Sequence, residues 1–416
     1  MIYETIRFGD LYAVDSRNGL TKPSKLRGSG YKMINMGELF ANDRIYDIPM
    51  ELVPLKENEK INAKVEVGDL LFARQSLVLE GAGKCSIVMD VSPLTVFESH
   101  LIRVRLSNDA NPMFYYYYFR SPLSPIKTIV SQCAQAGIRG SDLQELNVIF
   151  PPKEQQDKIA NILSAYDDLI ENNQKQIKLL EEAAQRLYKE WFVDLRFPGH
   201  EDVTIVDGVP GGWSRKTVSE CLAFHGNGGW GKETPIGKNE HSGKVIRGTD
   251  IEDVKAGRFT DIPLRYHTDN DVKKRTLKRD DLVFELSNGN INNIGRCLLV
   301  DDLILKNCGE NTICASFCKL LRPVDRLHTM MLYWEIQDMQ KSGRMLPLKK
   351  HGSNGINNFD FEGFLNHTLL IPNDLTMLSQ IETIMKKIST IQGQFALLSE
   401  ARDRLLPKLM SGEIEV

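Results

Sequence analysis

The chain has 416 residues, of which 42% are apolar and 26% are charged, and its formal net charge is −3. This composition predicts a soluble, well-packed protein of two or three domains and excludes a disordered chain. The apolar runs are shorter than the roughly 18–20 residues that cross a bilayer, and the first residues lack a signal peptide's apolar segment, so we expect a cytoplasmic protein with no membrane contact. The near-neutral charge is weak evidence against a simple nucleic-acid coat protein, which would be strongly basic.

Residues 1–200 and 213–416 resemble each other weakly, at an offset of about 212 residues. The segments matched at this offset are Thr5-Ile6 with Thr217-Val218, Lys32-Met33-Ile34 with Lys244-Val245-Ile246, 69–72 with 281–284, and Gly83-Lys84-Cys85 with Gly295-Arg296-Cys297. Further along the chain the offset between matched residues increases. The segments matched at these larger offsets are Val104-Arg105-Leu106 with Cys318-Lys319-Leu320 and Phe150-Pro151 with Ile371-Pro372. A change in offset indicates insertions in the second half, and insertions usually lie in loops. Each half is therefore predicted to be a mixed globular domain of about 150 residues followed by one long helix.

Two long helices are the clearest local signal. After Pro151-Pro152 the chain runs from Lys153 to about Trp191 without Pro or Gly, which predicts a helix roughly 57 Å long. One set of seven-residue spacings is Ile170, Ile177, Ala184 and Trp191. The second helix, 381–409, has alternating three- and four-residue spacing that is broken only by Arg402. Both patterns are typical of coiled coils, and we expect an antiparallel pair with one domain at each end. The alternative is that each helix packs on its own domain.

Motifs for catalysis are incomplete. Residues 226–232 fit G-x-x-x-x-G-K, but Glu233 and Pro235 follow instead of a magnesium-binding hydroxyl and a helix, which favours a flexible polar loop. Asn111-Pro112-Met113-Phe114 resembles an amino-methyltransferase loop without that enzyme's glycine-rich turn, so the aromatic run 114–119 is interpreted as a packed element. The sequence favours a non-catalytic protein.

The chain has seven cysteines, an odd number, with no Cys-x-x-Cys pair; they lie at 85, 133, 221, 297, 308, 314 and 318. Cys308, Cys314 and Cys318 have poor spacing for a zinc site. We interpret all seven as small buried side chains in a reducing compartment, and we predict no metal site.

Basic residues gather in windows that contain no acid. These windows are 16–37, 110–141, 273–279 and 339–359. In contrast, residues 153–194 hold nine acids against six bases, so the first helix is acidic. Phosphate contacts require Lys and Arg, which indicates nucleic-acid contact by loops of the globular domains.

Polar loops also lie at equivalent places in the two halves. Arg74-Gln75-Ser76 follows the strand-like 70–72, and 287–293 takes the equivalent place in the second half. Loops 137–141 and 352–357 close the two domains before their helices. Ordinary solvated loops are the alternative interpretation, but the repetition favours function. The candidate DNA-binding residues are Lys22, Lys25, Arg27, Arg74, Gln75, Ser76, Lys84, Arg139, Ser141, Lys273, Lys274, Asn288, Asn290, Asn292, Arg296, Lys349, Lys350 and Asn354.

Four motifs carry a resemblance to the specificity (S) subunits of type I restriction-modification systems. They are Ile149-Phe150-Pro151-Pro152-Lys153-Glu154-Gln155-Gln156, Leu187-Tyr188-Lys189-Glu190-Trp191-Phe192-Val193-Asp194, Gly208-x-Pro210-x-Gly212-Trp213, and Leu405-Leu406-Pro407-Lys408-Leu409-Met410-Ser411-Gly412-Glu413-Ile414. The second helix departs from the family in its reduced entry, 371–374, and in Leu378-Ser379-Gln380 where the family has Gln-Gln. The resemblance covers essentially the whole chain.

The resemblance implies an α+β fold with two pseudo-twofold-related target-recognition domains joined by two long antiparallel coiled-coil helices. The expected parts are target-recognition domain 1 at 1–150, helical spacer 1 at 151–195, a linker at 196–212, target-recognition domain 2 at 213–372 and helical spacer 2 at 373–416. It also implies that each domain reads one half of an asymmetric bipartite sequence in double-stranded DNA.

Partners and cofactors are implied by the same resemblance. The helices would set the half-site spacing and bind two methyltransferase (M) subunits, which restriction (R) subunits join. This chain would hold no cofactor, with S-adenosylmethionine on the M subunit and ATP and Mg on the R subunit. Two other hypotheses remain: a degenerate or fused DNA methyltransferase or nuclease, against which the absent glycine turn argues, and a coiled-coil scaffold, which would have no need of basic loops.

Overall fold

The computed structural model describes residues 3–92, 94–132, 136–352, 355–373 and 375–416. The chain divides into two compact units, Met1–Leu169 with Leu398–Val416, and Ile170–Leu397. Each unit contains one globular domain and a part of each long helix. The second unit is thus continuous in sequence, whereas the first is closed by the C-terminal end of the chain.

The globular part of the first unit, called the first domain, is a set of small sheets with short helices. Its strands are β1 (Thr5–Arg7), β2 (Tyr12–Asn18), β3 (Tyr31–Ile34), β4 (Arg44–Ile45), β5 (Glu51–Val53), β6 (Leu70–Ala73), β7 (Gln75–Ser76), β8 (Cys85–Val88), β9 (Val96–Phe97), β10 (Leu101–Leu106), β11 (Ser131–Gln132), β12 (Ala136–Gly137) and β13 (Asn147–Ile149). Its helices are α1 (Met36–Ala41), α2 (Glu57–Asn62), α3 (Pro112–Arg120) and α4 (Gly140–Gln144). The sheets have the orders β2-β10-β6-β8-β4, β5-β3-β9, β11-β12-β7 and β1-β13.

The first long helix, α5 (Lys153–Tyr188), has 36 residues, and a π-helical turn, Lys189–Val193, extends it. It starts directly after Pro151-Pro152, so the predicted span is confirmed. The heptad residues Ile170, Ile177, Ala184 and Trp191 are all buried. The seam that the sequence predicts is therefore covered in the folded chain.

The globular part of the second unit, called the second domain, follows a short hairpin. The strands are β14 (Ile205–Val206), β15 (Val209–Pro210), β16 (Ser214–Thr217), β17 (Leu222–Asn227), β18 (His241–Ile246), β19 (Leu264–His267), β20 (Leu282–Glu285), β21 (Ser287–Asn288), β22 (Cys297–Leu299), β23 (Ile313–Cys314), β24 (Cys318–Pro323), β25 (Lys349–Lys350), β26 (Asn357–Phe359) and β27 (Thr368–Ile371). The helices are α6 (Ile251–Lys255), α7 (Asp269–Arg275), α8 (Asp302–Cys308), α9 (Arg326–Ser342), α10 (Phe361–Leu365) and the long α11 (Ser379–Ser411). The sheets have the orders β17-β24-β20-β22, β19-β18-β23, β21-β26-β25 and β16-β27.

The two domains share one topology, except that the five-stranded sheet of the first domain has the additional edge strand β4, and this likeness confirms the internal repeat. A buried aspartate precedes the central strand in each: Asp69 accepts hydrogen bonds of 2.7 and 2.8 Å from Arg105, and Asp281 accepts two of 2.7 Å from Arg322. Strand β3 pairs with β9 in parallel, as β18 does with β23. Since a charged pair at low exposure is costly unless its geometry is good, the recurrence of the same bidentate pair marks one structural unit used twice.

Strand registers correct one of the sequence matches at a larger offset. Val104 lies opposite Leu70 in the first domain, and Leu321 lies opposite Leu282 in the second. Val104 therefore corresponds to Leu321, and its match with Cys318 is wrong by three residues. Hydrogen-bonded register, and not local similarity of apolar residues, fixes the equivalence, because a strand slipped by an odd number turns its core side chains outward.

The match at the N-terminus is also wrong, by two residues. The Phe8 amide donates to the Leu146 carbonyl at 2.8 Å, and the Val218 amide donates to the His367 carbonyl at the same distance. Phe8, and not Ile6, is thus the counterpart of Val218.

Within each unit α5 and α11 run antiparallel. In the first unit Ile159 and Leu163 share a core with Leu409 and Met410. In the second unit Ile177 packs in a cluster with Ile388 and Ile391, and Leu180 and Ile384 pack against it. Residue numbers therefore rise along α5 as they fall along α11, as the heptad patterns predict.

The aromatic run 114–119 forms most of α3 and is buried throughout, which confirms its interpretation as a packed element. Its counterpart, 330–334, is buried in α9. The G-x-x-x-x-G-K segment begins at the end of β17, and the next element after it is β18 and not a helix. The loop interpretation of that segment is therefore confirmed.

Six of the seven cysteines lie within the described residues and are buried, whereas Cys133 lies outside them. Burial raises the pKa of the Cys314 thiol to about 12 and that of the Cys308 thiol to about 11. These thiols are protonated at neutral pH and pack as small apolar groups. Across the described part of the chain, no group of three or more His, Cys, Asp and Glu side chains is arranged to hold a metal ion.

Candidate nucleic-acid interface

Two loops that are distant in the sequence of the first domain meet on one small sheet. Residues Gln75 and Ser76 form β7, which pairs with β12 so that Gly137 lies opposite Gln75. The Ile138 amide donates to the Arg74 carbonyl at 2.9 Å. The sheet β11-β12-β7, called the first candidate face, therefore brings the predicted residues Arg74, Gln75 and Ser76 next to Arg139.

Arg139 is the cation most available on this face. It precedes α4 and is exposed, and its guanidinium has no ion pair or hydrogen bond with any described residue. A Cβ added to Gly140 would lie 3.5 Å from the Ser16 Oγ, so the start of α4 lies against β2. Arg17, the next residue of β2, is exposed and is likewise without a partner within the described ranges.

Arg17 is a residue that our candidate set leaves out, although it lies in the acid-free window 16–37. The predicted DNA-binding residues lie in predicted loops, whereas Arg17 lies in a strand at the edge of its sheet. Strand β2 is exposed at four of the five positions from Ala13 to Arg17. In the sequence, the acid-free window 16–37 is the signal that points to Arg17. An edge strand with one solvated face can present a cation as well as a loop can.

The other candidates of the first domain are engaged elsewhere. Lys22 is buried and forms a 2.7 Å ion pair with Glu59, and Arg27 forms one of 2.6 Å with Glu51. Their neighbour Lys25 is exposed. Lys22 and Arg27 thus contact the segment that contains β5 and α2 and not the first candidate face.

Lys84 and Ser141 also have partners. The Lys84 ammonium donates to the Phe40 carbonyl at 2.8 Å and lies 3.1 Å from Asp43. The Ser141 hydroxyl donates to Asp142 at 3.2 Å. Lys84 thereby fastens the base of the loop that follows β7.

The second domain builds the equivalent sheet, β21-β26-β25, from different side chains; we call it the second candidate face. Ser287 lies opposite Asn358, and Lys350 lies opposite Asn358 on the other side. The Lys349 ammonium donates to the Asn292 carbonyl at 3.4 Å, and burial lowers the pKa of Lys349. The structure thus gathers Asn288, Asn290, Asn292, Lys349 and Lys350. Asn354 lies outside the described residues.

The asparagines of this loop shape its backbone. The Asn288 side-chain oxygen accepts from the Asn290 amide at 2.7 Å, and that of Asn290 accepts from the Asn292 amide at 3.0 Å. Asn357, which the sequence analysis did not select, donates to the carbonyls of Asn288 and Gly289 at 3.3 and 2.9 Å. These Asx turns hold the loop in place and leave the amide groups of Asn290 and Asn292 exposed.

Arg296, Lys273 and Lys274 are not part of this sheet. Arg296 donates to Glu285 and to the Gly248 carbonyl, both at 2.8 Å, with its side chain largely buried. It occupies the place of Lys84 in the repeat and also fastens a loop. Lys273 and Lys274 are exposed on α7, which contacts β23.

The sequence is similar to those of known proteins. Residues 2–182 match the family described as the type I restriction modification DNA specificity domain. The specificity subunit of the MjaIX enzyme from Methanocaldococcus jannaschii is 26% identical over 73% of this chain and 69% of its own length. The specificity subunit of the Escherichia coli EcoKI enzyme is 28% identical over 41% of this chain and 38% of its own.

A solved structure reproduces the fold over nearly the whole length. The S subunit of a type I restriction-modification system from M. genitalium covers 98% of this chain and 96% of its own, with a TM-score of 0.56 at 15% identity. In the described part of this chain, no helix is long and apolar enough to span a membrane. The repeat, the paired helices and the sequence relatives agree: residues 2–182 match the type I restriction modification DNA specificity domain, and the chain is similar to the specificity subunits of type I restriction enzymes.

Proposed function

We propose that this chain is the DNA-sequence-reading subunit of a type I restriction-modification enzyme and has no catalytic activity of its own. Each domain, 1–150 and 213–372, contacts one half of an asymmetric, bipartite sequence in double-stranded DNA. One observation carries the proposal: two sheets at equivalent places of a structural repeat present different hydrogen-bonding side chains. A duplicated reader with divergent contact residues is what two different half-sites require.

The side chains of the two candidate faces suit DNA chemistry. A two-stranded ribbon fits the major groove, where Gln and Asn pair with adenine and Arg pairs with guanine. Gln75 and Ser76 offer such groups in the first domain, and Asn290 and Asn292 do so in the second. Arg139 has no acidic partner within the described ranges, so its charge is available to a phosphate.

We assign the helices to spacing and assembly. At 1.5 Å per residue, the 36 residues of α5 extend roughly 54 Å, more than the roughly 34 Å between half-sites one helical turn apart. Its acidic surface suits protein partners better than DNA. In this proposal the helices bind two M subunits, which R subunits join, with S-adenosylmethionine on M, ATP and Mg on R, and the assembly in the cytoplasm.

Sequencing of methylated bases in the host genome, with and without this gene, tests the proposal. A bipartite motif that is methylated only when the gene is present is the expected result. The purified chain with its M subunits should then bind a duplex carrying that motif more tightly than a scrambled duplex, and the affinity should fall as salt rises. Equal binding of both duplexes would overturn the proposal, as would transfer of labelled methyl groups from S-adenosylmethionine to DNA by the chain alone.

A further inference from the structure

An apolar tip stands out of the first candidate face. Leu77, Val78 and Leu79, in the loop between β7 and β8, are 88%, 60% and 47% exposed. Contact between water and three consecutive apolar side chains costs free energy, which a bound partner would recover by covering them.

The tip is held rigidly. The Val78 amide donates to the Ser76 Oγ at 3.1 Å, and the Gly81 amide donates to the Val78 carbonyl at 3.2 Å. At the base of the loop, the Gly83 amide donates to the Ala73 carbonyl at 2.8 Å. The apolar side chains therefore project from a hydrogen-bonded turn, which lowers the backbone conformational entropy that is lost when the tip binds.

The charges around the tip favour a nucleic acid as its partner. The tip follows Arg74-Gln75-Ser76 directly, and β12, which pairs with β7, leads to Arg139. Glu80 is the one carboxylate in the loop 74–84, and it is exposed. Arg74 has no acidic partner among the described residues, although it donates to the Ser99 carbonyl at 3.4 Å. Apolar side chains beside cations that no acid neutralises match DNA, where the cations neutralise phosphates while an apolar wedge enters between stacked bases.

The repeat shows that the tip is specific to the first domain. Residues Gly289, Asn290 and Ile291 take its place in the second domain, where an exposed asparagine replaces the exposed valine. There the exposed apolar group is Phe317, 58% exposed, whose carbonyl accepts from the Ser287 amide at 3.3 Å. The common scaffold of the repeat therefore does not need an apolar residue at the tip.

We propose that Leu77 and Val78 insert between two base pairs of the DNA half-site read by the first domain, unstack them and kink the duplex. The inference rests on the proposed function and adds a second means of recognising the DNA sequence, through the ease with which a base-pair step deforms. Because unstacking is easiest at flexible pyrimidine–purine steps, the wedge selects such a step without a hydrogen bond to its bases.

The test uses the full chain in complex with its M subunits and a duplex carrying the methylated motif, with 2-aminopurine placed at each position of the first half-site in turn. The wild-type complex should raise 2-aminopurine fluorescence several-fold at one step. Leu77→Ser should abolish that rise and weaken binding about tenfold, and Leu77→Met, which keeps the apolar volume, should retain both. Val67→Ser is the matched control, since Val67 is 68% exposed at the opposite end of β6 and should have no effect.

The outcomes separate the wedge from the proposed function. If the wild-type complex selects its target but unstacks no base-pair step, the insertion proposal is wrong and the proposed function stands. The same holds if the Leu77→Ser variant unstacks the DNA and binds it like the wild type. If Leu77→Ser fails to assemble with the M subunits in size-exclusion chromatography, the tip is a protein contact, which also overturns the wedge. If the wild-type complex does not discriminate its target from a scrambled duplex, the proposed function itself fails.

Discussion

The guanidinium of Arg402, on α11, donates a 2.7 Å hydrogen bond to the carboxylate of Asp167, on α5, within the first unit. The Tyr117 hydroxyl donates to the other oxygen of that carboxylate, also at 2.7 Å. The Asp167 side chain is only 8% exposed. Arg402, which interrupts the apolar spacing of α11, therefore faces α5 and neutralises a buried charge. A polar pair within an otherwise apolar seam fixes the register of two helices, because a slip of either helix would leave the carboxylate buried without its cation.

Arg402→Ala should lower the free energy of unfolding by roughly 2–3 kcal/mol, since it leaves the Asp167 carboxylate buried without its cation. Urea unfolding at pH 7 measures the loss. Arg404→Ala is the control: Arg404 is 78% exposed and pairs with Glu400 one turn away on the same helix. That variant should change the free energy by less than about 0.5 kcal/mol. Equal losses in the two variants would show that the pair does not stabilise the helix contact.

The repeated bidentate pairs give a second prediction. Asp281→Asn removes the carboxylate that pairs with the partly buried Arg322, so it should destabilise the sheet around it by about 2–4 kcal/mol. Asp69→Asn leaves Arg105 paired with Glu66 at 2.8 Å, so its effect on the first sheet should be smaller, about 1–2 kcal/mol. Hydrogen exchange followed by mass spectrometry should show faster exchange in β20 for Asp281→Asn and in β6 for Asp69→Asn. Asp253→Asn, at an exposed pair with Arg258, should leave both strands unchanged. Faster exchange of both strands in either variant would contradict the division of the chain into two units.

Arg139→Ala should weaken DNA binding at every sequence to a similar degree, because its guanidinium is available to phosphate and not held by an acid of the described chain. If it contacts one phosphate, the slope of log affinity against log salt should fall by about 1. Fluorescence anisotropy at four salt concentrations measures this slope. Arg258→Ala, which removes a cation paired with Asp253 outside the candidate faces, should leave the slope unchanged. An unchanged slope for Arg139→Ala would exclude it from the interface.

The sequence predicts the repeat, both long helices and the places of the polar loops, because these depend on periodicity and on local chemistry. It does not show which cations are free. In the sequence, Lys22 and Arg296 cannot be distinguished from basic residues that have no acidic partner. Their partners, Glu59 and Glu285, are 37 and 11 residues away, and only the folded chain brings each pair together. Arg17 is missed for the converse reason: its exposure depends on the edge position of β2, which strand pairing decides.

The second candidate face should act on its own half-site alone. Asn290→Ala removes an exposed amide that lies in the second domain, so the methylated motif should become less specific in one half and remain unchanged in the other. Methylation sequencing of hosts carrying the variant measures this directly. Asn307→Ala, at an exposed asparagine whose Nδ2 donates within α8, is the matched control and should leave the motif intact. A loss of specificity in both halves would contradict independent reading by the two domains.

Glu335 provides a prediction about pH. In the second unit its carboxylate accepts hydrogen bonds from Tyr188 at 2.9 Å, Arg344 at 2.8 Å and His367 at 2.9 Å. Burial alone would raise the pKa of Glu335, but the bonds from His367 and Arg344 outweigh it and hold that pKa below its ordinary value of 4.5. A carboxyl whose pKa is lower in the folded than in the unfolded chain contributes stability that is fully present above the unfolded value and is lost as the pH falls through the folded one.

Glu335→Gln should therefore be less stable than the wild type above pH 4.5, by about 2–4 kcal/mol, because Arg344 then lacks one of its carboxylates. Below pH 4.5 the wild type should lose stability more steeply than the variant, so that the difference narrows. Urea unfolding at pH 7, 5, 4 and 3.5 measures the two curves. Glu362→Gln, at an exposed glutamate of α10, should follow the wild-type curve at every pH. A difference between Glu335→Gln and the wild type that stays constant down to the lowest pH would show that the charge of Glu335 does not stabilise the fold, since only an ionised carboxylate can lose that contribution on protonation.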